Sequence, residues 1–303
     1  MRKKEGLEKM KPEKWHGLTI KGVTLVELLI AAVILGFVSL AALQFYAQEH
    51  RVYSVEAEIS NAQQNVRTAM EELSTNIMAA GAALPPGFAP VISSNANPDT
   101  IVLRYNKSGC YITVGDHTQI QQAKPIHTHD TVTCFTPFIG QQVYLVHNNP
   151  APGEPSGEWF TLTLTAYNPG NGWQEVHHAE NLQGEPRPGD VILVLEEARY
   201  YIDSSSSAEA REHPKLMKIR NAQPPQIYAE DIVDLQFVYF LGGALPDTVD
   251  DIEAAGRNAR DIQNVQILVQ SRTQKRDPKW PMDGGHRFRT MNSEVHLRNL
   301  NLL

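Results

Sequence analysis

The sequence predicts an α+β chain: one long N-terminal helix, with a membrane half and an amphipathic half, packed on a β-rich C-terminal globular domain. Three observations carry this. An apolar run from Val23 to about Ala47 holds a single charge, Glu27. Beyond it Val52, Val55, Ile59, Ala62, Val66, Ala69, Leu73 and Ile77 recur in steps of three and four, the spacing of one helix face. After Gly81, short β-branched and aromatic runs alternate with Pro-, Gly- and Asn-rich turns, as strands do. The chain therefore divides into a basic leader at 1–22, a helix at 23–80 and a globular domain at 81–303.

The leader is polar and unpatterned. Its seven basic residues against three acidic ones give a net +4, a flank that stays cytoplasmic, and it reads as a processing segment outside the fold. As a helix, Val23 to Ala47 spans about 37 Å against about 30 Å of bilayer hydrocarbon. The run can cross a membrane, which leaves the chain beyond it outside the cytoplasm. A carboxylate at bilayer depth costs about 2.5–3.5 kcal/mol even on lenient scales, so Glu27 needs a partner. The free amine of a neighbouring subunit would neutralise it and fix axial register; the plainer reading is a glutamate that snorkels to the interface. Ala31, Ala32, Gly36, Ala41 and Ala42 permit close helix packing.

In the second half of the helix the apolar stripe is expected to dock on a sheet, with a free coiled coil as the runner-up. Glu56, Glu58, Gln63, Gln64, Arg67, Glu71 and Glu72 lie between its members and should be solvated or face other subunits. Gly81 with Pro85-Pro86-Gly87 stops the helix. Strand candidates lie at Thr100–Tyr105, Thr131–Phe135, Gln142–His147, Trp159–Tyr167, Val191–Leu195, Ala198–Ile202, Lys215–Arg220, Ile232–Phe240, Val265–Ser271 and Arg287–Leu297. Turn chemistry separates them, as at Asn97-Pro98-Asp99, Asn168-Pro169-Gly170-Asn171-Gly172 and Pro186-Arg187-Pro188-Gly189-Asp190.

The string Lys21-Gly22-Val23-Thr24-Leu25-Val26-Glu27-Leu28 resembles the processing site of type IV prepilins. The resemblance implies cleavage between Gly22 and Val23 by prepilin peptidase, N-methylation of Val23 by the same enzyme, and an assembly role for Glu27. Val23 stands where the family usually has Phe. Three later strings, Asp231-Ile232-Val233-Asp234-Leu235-Gln236-Phe237-Val238-Tyr239, Asn264-Val265-Gln266-Ile267-Leu268-Val269 and Glu294-Val295-His296-Leu297-Arg298-Asn299, resemble in order the C-terminal half of PilW-like minor pilins, and in outline pseudopilin J of type II secretion. The likeness further implies a pilin-like subunit in the inner membrane with its large domain in the periplasm, later part of a filament at the cell surface. Its partners would be other pilins, the peptidase and an inner-membrane assembly platform. The middle of the chain, about 106–190, resembles nothing we can name.

Composition narrows the rest. The chain carries −7, and without the leader's +4 it carries −11, which argues against a nucleic-acid surface. Cys110 and Cys134 are an even pair and, outside the cytoplasm, favour a disulfide over two buried thiols. The run His127-Thr128-His129-Asp130 invites a metal, but a second ligand set at diagnostic spacing is missing, and a solvated loop is the expectation. His177-His178 would point to opposite faces of a strand. Asp247, Asp250, Asp251 and Glu253 lack calcium-loop spacing and read as a solvated acidic loop, and Ser204–Ser207 reads as a flexible polar loop without a nucleophile context. No metal, cofactor or catalytic activity is expected. Trp159, Tyr167, Trp173, Tyr200, Tyr201, Trp280 and Phe288 read as core or rim, with a subset available for glycan. The rival functions are thus a glycan- or surface-binding adhesin on the same anchor, and a periplasmic protein released by signal peptidase after Ser39-Leu40-Ala41. Glu27 inside a purely apolar signal core argues against the second.

Overall fold

Helix α1 runs from Leu25 to Ala79 in the computed structural model, which describes residues 22–85, 88–106, 108–115, 124–128, 132–168, 173–221, 223–242 and 247–297. Residues 1–21 of the leader, Pro86, Gly87, His129, Asp130, Thr131, residues 169–172 of the predicted turn and the last six residues lie outside the described residues. Two compact units meet within α1, one ending at Ser54 and the other beginning at Val55.

From Leu25 onward the first unit is helix alone, and its large apolar side chains, Val23 through Tyr53, are exposed. The cause is a run with apolar residues on every face, which leaves no polar side to turn outward.

In the second unit the helix becomes one-sided. Ala62, Val66, Ala69, Met70, Leu73 and Ile77 are buried, the last five of them in a core shared with two sheets. The first sheet has the order β1-β2-β9-β10-β11, from Val91–Ser94, Thr100–Tyr105, Glu196–Asp203, Lys215–Arg220 and Gln226–Glu230. The second has the order β13-β12-β14-β15, from Asp247–Val249, Ile232–Leu241, Ile262–Arg272 and Phe288–His296. Strands β12 and β14 alternate buried and half-buried residues along most of their length, as period-two sequences must when one face is covered. Leu235, Phe237, Tyr239, Val265, Ile267 and Val269 share one core with the helix stripe. Each such side chain contributes about 1.5–3 kcal/mol of burial. Polar ties fix the helix in register: Asn65 donates to the Glu230 carbonyl at 2.9 Å and the Ser271 hydroxyl to the Ala62 carbonyl at 2.8 Å. Gly81, at φ +83°, ends the helix and donates to the Arg104 carbonyl at 2.9 Å. We call this assembly the body.

The middle of the chain builds something separate. Strands β2 and β9 are direct antiparallel partners, with Tyr105 opposite Glu196, so everything between them is an insertion at one sheet position. It contains β3 (Tyr111–Thr113), β4 (Ile126–Thr128), β5 (Gln142–Val146), β6 (Gly157–Asn168), β7 (Trp173–His178) and β8 (Val191–Leu193), ordered β3-β8-β5-β6-β7-β4. The two edges then meet: Val114 bridges Thr128, and Gly115 donates to the His127 carbonyl at 2.8 Å. The sheet closes into a small barrel, which removes its open edges. Inside are Ile112, Val114, Ile126, Phe135, Val143, Leu145, Phe160, Leu162, Val176 and Ile192, a core distinct from that of the body.

Three expectations need correction. The strand at Thr131–Phe135 is instead a 3₁₀ helix, Val132–Phe138, because Pro137 has no ladder donor and β-branched content misled. Ser204–Ser207 is not a loose polar loop. Ser205 and Ser206 donate to Asp203, and Ser207 caps the short helix α2, Ala208–Glu212, accepting from Ala210 N. Glu72, expected outside, turns inward to Tyr200 and Lys218.

Candidate functional site

The N-terminal string forms a local structure of its own. Thr24 precedes α1, and its hydroxyl accepts from Glu27 N at 3.2 Å, while Glu27 Oε2 accepts from Thr24 N at 2.9 Å and from the Thr24 hydroxyl at 3.0 Å. This is a capping box, in which a Thr and a Glu three residues apart satisfy each other's backbone donors at a helix start. Leu28 N closes the first helical turn on the Thr24 carbonyl at 3.2 Å. Gly22 and Val23 lie ahead of it, exposed. Within a single chain Glu27 therefore already has donors, and it holds the acidic position that a helix N-terminus favours. The helix beyond is long and apolar enough to cross a membrane, by length and composition.

Cys110 and Cys134 are joined, with Cα atoms 5.8 Å apart. The bond ties the residue before β3 to the 3₁₀ helix.

His127 and Thr128, expected in a solvated loop, lie instead in strand β4 with Thr128 buried, and the metal-like groups resolve into strand chemistry. In the barrel His127 lies 4.8 Å from the Trp173 ring and 3.8 Å from Glu175, and His177 lies 3.2 Å from the other oxygen of Glu175. His178 faces the carbonyls of Glu180 at 2.6 Å and Lys124 at 2.9 Å. No group of three metal-type ligands converges among the described residues. Asp251 is a loop cap: it accepts from Asn95 N at 3.1 Å, Glu253 N at 2.9 Å and Ala254 N at 3.0 Å, and these amides lower its pKa. Of the aromatics, Tyr200 is buried, Tyr167 is 59% exposed and the others lie between.

Two polar sites escaped the sequence. In the body, Glu72 on α1 accepts from Tyr200 Oη at 2.7 Å and is ion-paired with Lys218. Burial opposes its ionisation, but Lys218 and the tyrosines prevail and its pKa is lowered. In the barrel, His147 is fully buried between two carboxylates: Nδ1 lies 2.9 Å from Asp190 and Nε2 3.1 Å from Glu158. Both nitrogens face acceptors, so both must carry a proton. Burial alone would favour the neutral ring, yet the carboxylates hold its pKa above the ordinary 6.5. The carboxylates are anchored in turn by backbone amides, Asp190 by Asn148 and Arg187 at 3.0 and 2.9 Å, Glu158 by Gln183 and Gly184 at 2.6 and 2.8 Å. Arg187 also grips Glu154 through two bonds of 2.6 and 3.0 Å, pulling that acid down to about 2. These partners come from loops far apart in sequence, and no local pattern announces them.

No family model matches this chain, and no curated protein sequence does. Among solved structures it is similar to a type IV-like pilin from Thermus thermophilus, at 9% identity over 78% of this chain and 96% of that one, with a TM-score of 0.34.

Proposed function

We propose that this chain is a pilin-like filament subunit, a minor pilin that takes part in type IV pilus assembly or initiation. The observation that carries this is the Gly22–Glu27 string at the head of a membrane-length helix, with Thr24 and Glu27 forming its cap. In this reading prepilin peptidase cuts after Gly22 and methylates Val23. The anchored subunit waits in the inner membrane with its body and barrel in the periplasm. The capping box gives Glu27 hydrogen-bond donors during that wait, when an unpartnered carboxylate would cost about 2.5–3.5 kcal/mol. On extraction by the assembly platform, Glu27 exchanges its own Thr24 amide for the charged amine of a neighbour's Val23, a stronger partner in low dielectric. The size of the globular part favours a low-copy initiating or tip position, since bulky heads crowd around a thin fibre. A type II secretion pseudopilus would use the same machinery, and co-purification with secretion rather than pilus components separates the two.

The test is intact-mass and N-terminal analysis of membrane-extracted protein. A chain starting at Val23 with one added methyl group is expected; a start at Ala42, or an intact Met1, would remove the proposal. Glu27→Ala should still be cut after Gly22 yet fail to enter filaments. Immunogold labelling spread evenly along filaments would overturn the tip position alone.

A further inference from the structure

The barrel meets the body along an apolar seam of Leu84, Leu193 and Leu195, flanked by Phe88, Tyr144 and Trp159. One end of this seam opens into a cleft of about 620 Å³. We propose that the cleft binds a neutral oligosaccharide, with Tyr111 and Tyr144 as ring platforms and Thr113, Asn148 and Ser156 as hydrogen-bonding groups.

Three features single out this ligand class. The first is the aromatic surface. Tyr111 is 54% exposed at the cleft. Tyr144 is set by edge contacts from Phe88 at 6.0 Å and Trp159 at 5.0 Å. The electron-rich face of such a ring attracts the C–H groups of a sugar.

The second feature is charge. Among the described residues, each charged group lining the cleft is already paired. Arg104 bonds Glu197 at 2.8 Å and lies 5.2 Å from the Phe88 ring. His147 is held between Asp190 and Glu158. A phosphate or polyanion would need a cation free to pair with it, whereas hydroxyl and amide groups suit a neutral polyol.

The third feature is that the wall is built and not merely left open. A Cβ on Gly157 would lie 2.6 Å from the Tyr144 ring, and one on Gly184 would lie 2.5 Å from His147 Nε2. Both glycines give up a side chain so that a cleft residue can take its position. The buried His147 network then locks the loops behind that wall, the kind of supporting shell that holds a binding site in its productive shape.

The test is calorimetric titration of the full chain, in detergent micelles, with cellohexaose and with chitohexaose. Saturable binding of at least one is expected. Tyr111→Ala should weaken it about tenfold, the scale of one lost aromatic platform, and Tyr111→Phe should restore it. Tyr167→Ala, on the exposed surface of β6, should leave it unchanged. Tyr111 is exposed enough for these variants to fold, which circular dichroism would check. Failure of the folded wild-type protein to bind either sugar, or binding indifferent to Tyr111→Ala, would overturn the proposal. Processing at Gly22 is read separately by mass, so either proposal can fall without the other.

Discussion

The body and the barrel solve the same problem by different means. The body stacks a helix stripe on two sheets and buries large residues such as Leu73, Ile77, Phe237 and Tyr239, and its helix turns an acid inward, Glu72, tethered by Lys218 and Tyr200. The barrel has three-residue strands β3, β4 and β8 and a smaller apolar core. It adds a disulfide, a closing bridge and a buried cation between two anions. Where apolar area is scarce, covalent and ionic staples make up the difference.

Breaking each staple should therefore act where it sits. The largest effect is expected from His147→Ala, which strands the buried Asp190 and the half-buried Glu158 and should cost about 3–5 kcal/mol. Hydrogen exchange should show loops 147–156 and 183–190 opening while β12 and β14 stay protected. Equal loss of protection in both regions would abolish the distinction. Leu73→Ala should cost about 2–5 kcal/mol by leaving a cavity under the helix, and exchange should now accelerate in the body first. Removing the disulfide with Cys110→Ser and Cys134→Ser frees a loop of 24 residues and should cost about 2–4 kcal/mol. Its thermal transition should split, with the barrel melting ahead of the body.

The smallest and sharpest contrast is with pH. His147 has a raised folded pKa, so its contribution is complete below the ordinary imidazole value and is lost as pH rises through the folded value. Glu72 has a lowered folded pKa, so its contribution is present above the ordinary carboxylate value and is lost as pH falls through the folded one. Exchange-derived stability should thus soften in the barrel on the alkaline side, and His147→Leu should flatten that limb. An alkaline limb that persists in His147→Leu would assign it to another group.

The same contrast explains how much of the molecule is legible in the chain. The body is legible because its signals are local: steps of three and four along α1, and the alternation of Val265, Ile267 and Val269 along β14. The N-terminal string is legible for the same reason, since a capping box spans only four residues. The short strands β1, β3, β4, β11 and β13 offer few residues for a period to register, and β7, though six residues long, buries only Val176 and shows no alternation. The 132–138 segment reads as strand by composition, and only Pro137 speaks against it. The networks around His147 and Glu72 join residues 43 and 146 positions apart, and pairing at that separation is decided by the fold.

Because Tyr105 and Glu196 stand opposite each other in one ladder, the body treats the whole barrel as the loop of a hairpin. Any module whose two ends lie a strand spacing apart can occupy that position without altering a hydrogen bond of the host sheet. The site is a socket. Replacing the barrel by a tight turn should leave a smaller protein with the body's core intact. Fitting a foreign domain there would make the filament subunit proposed above a carrier for new cargo.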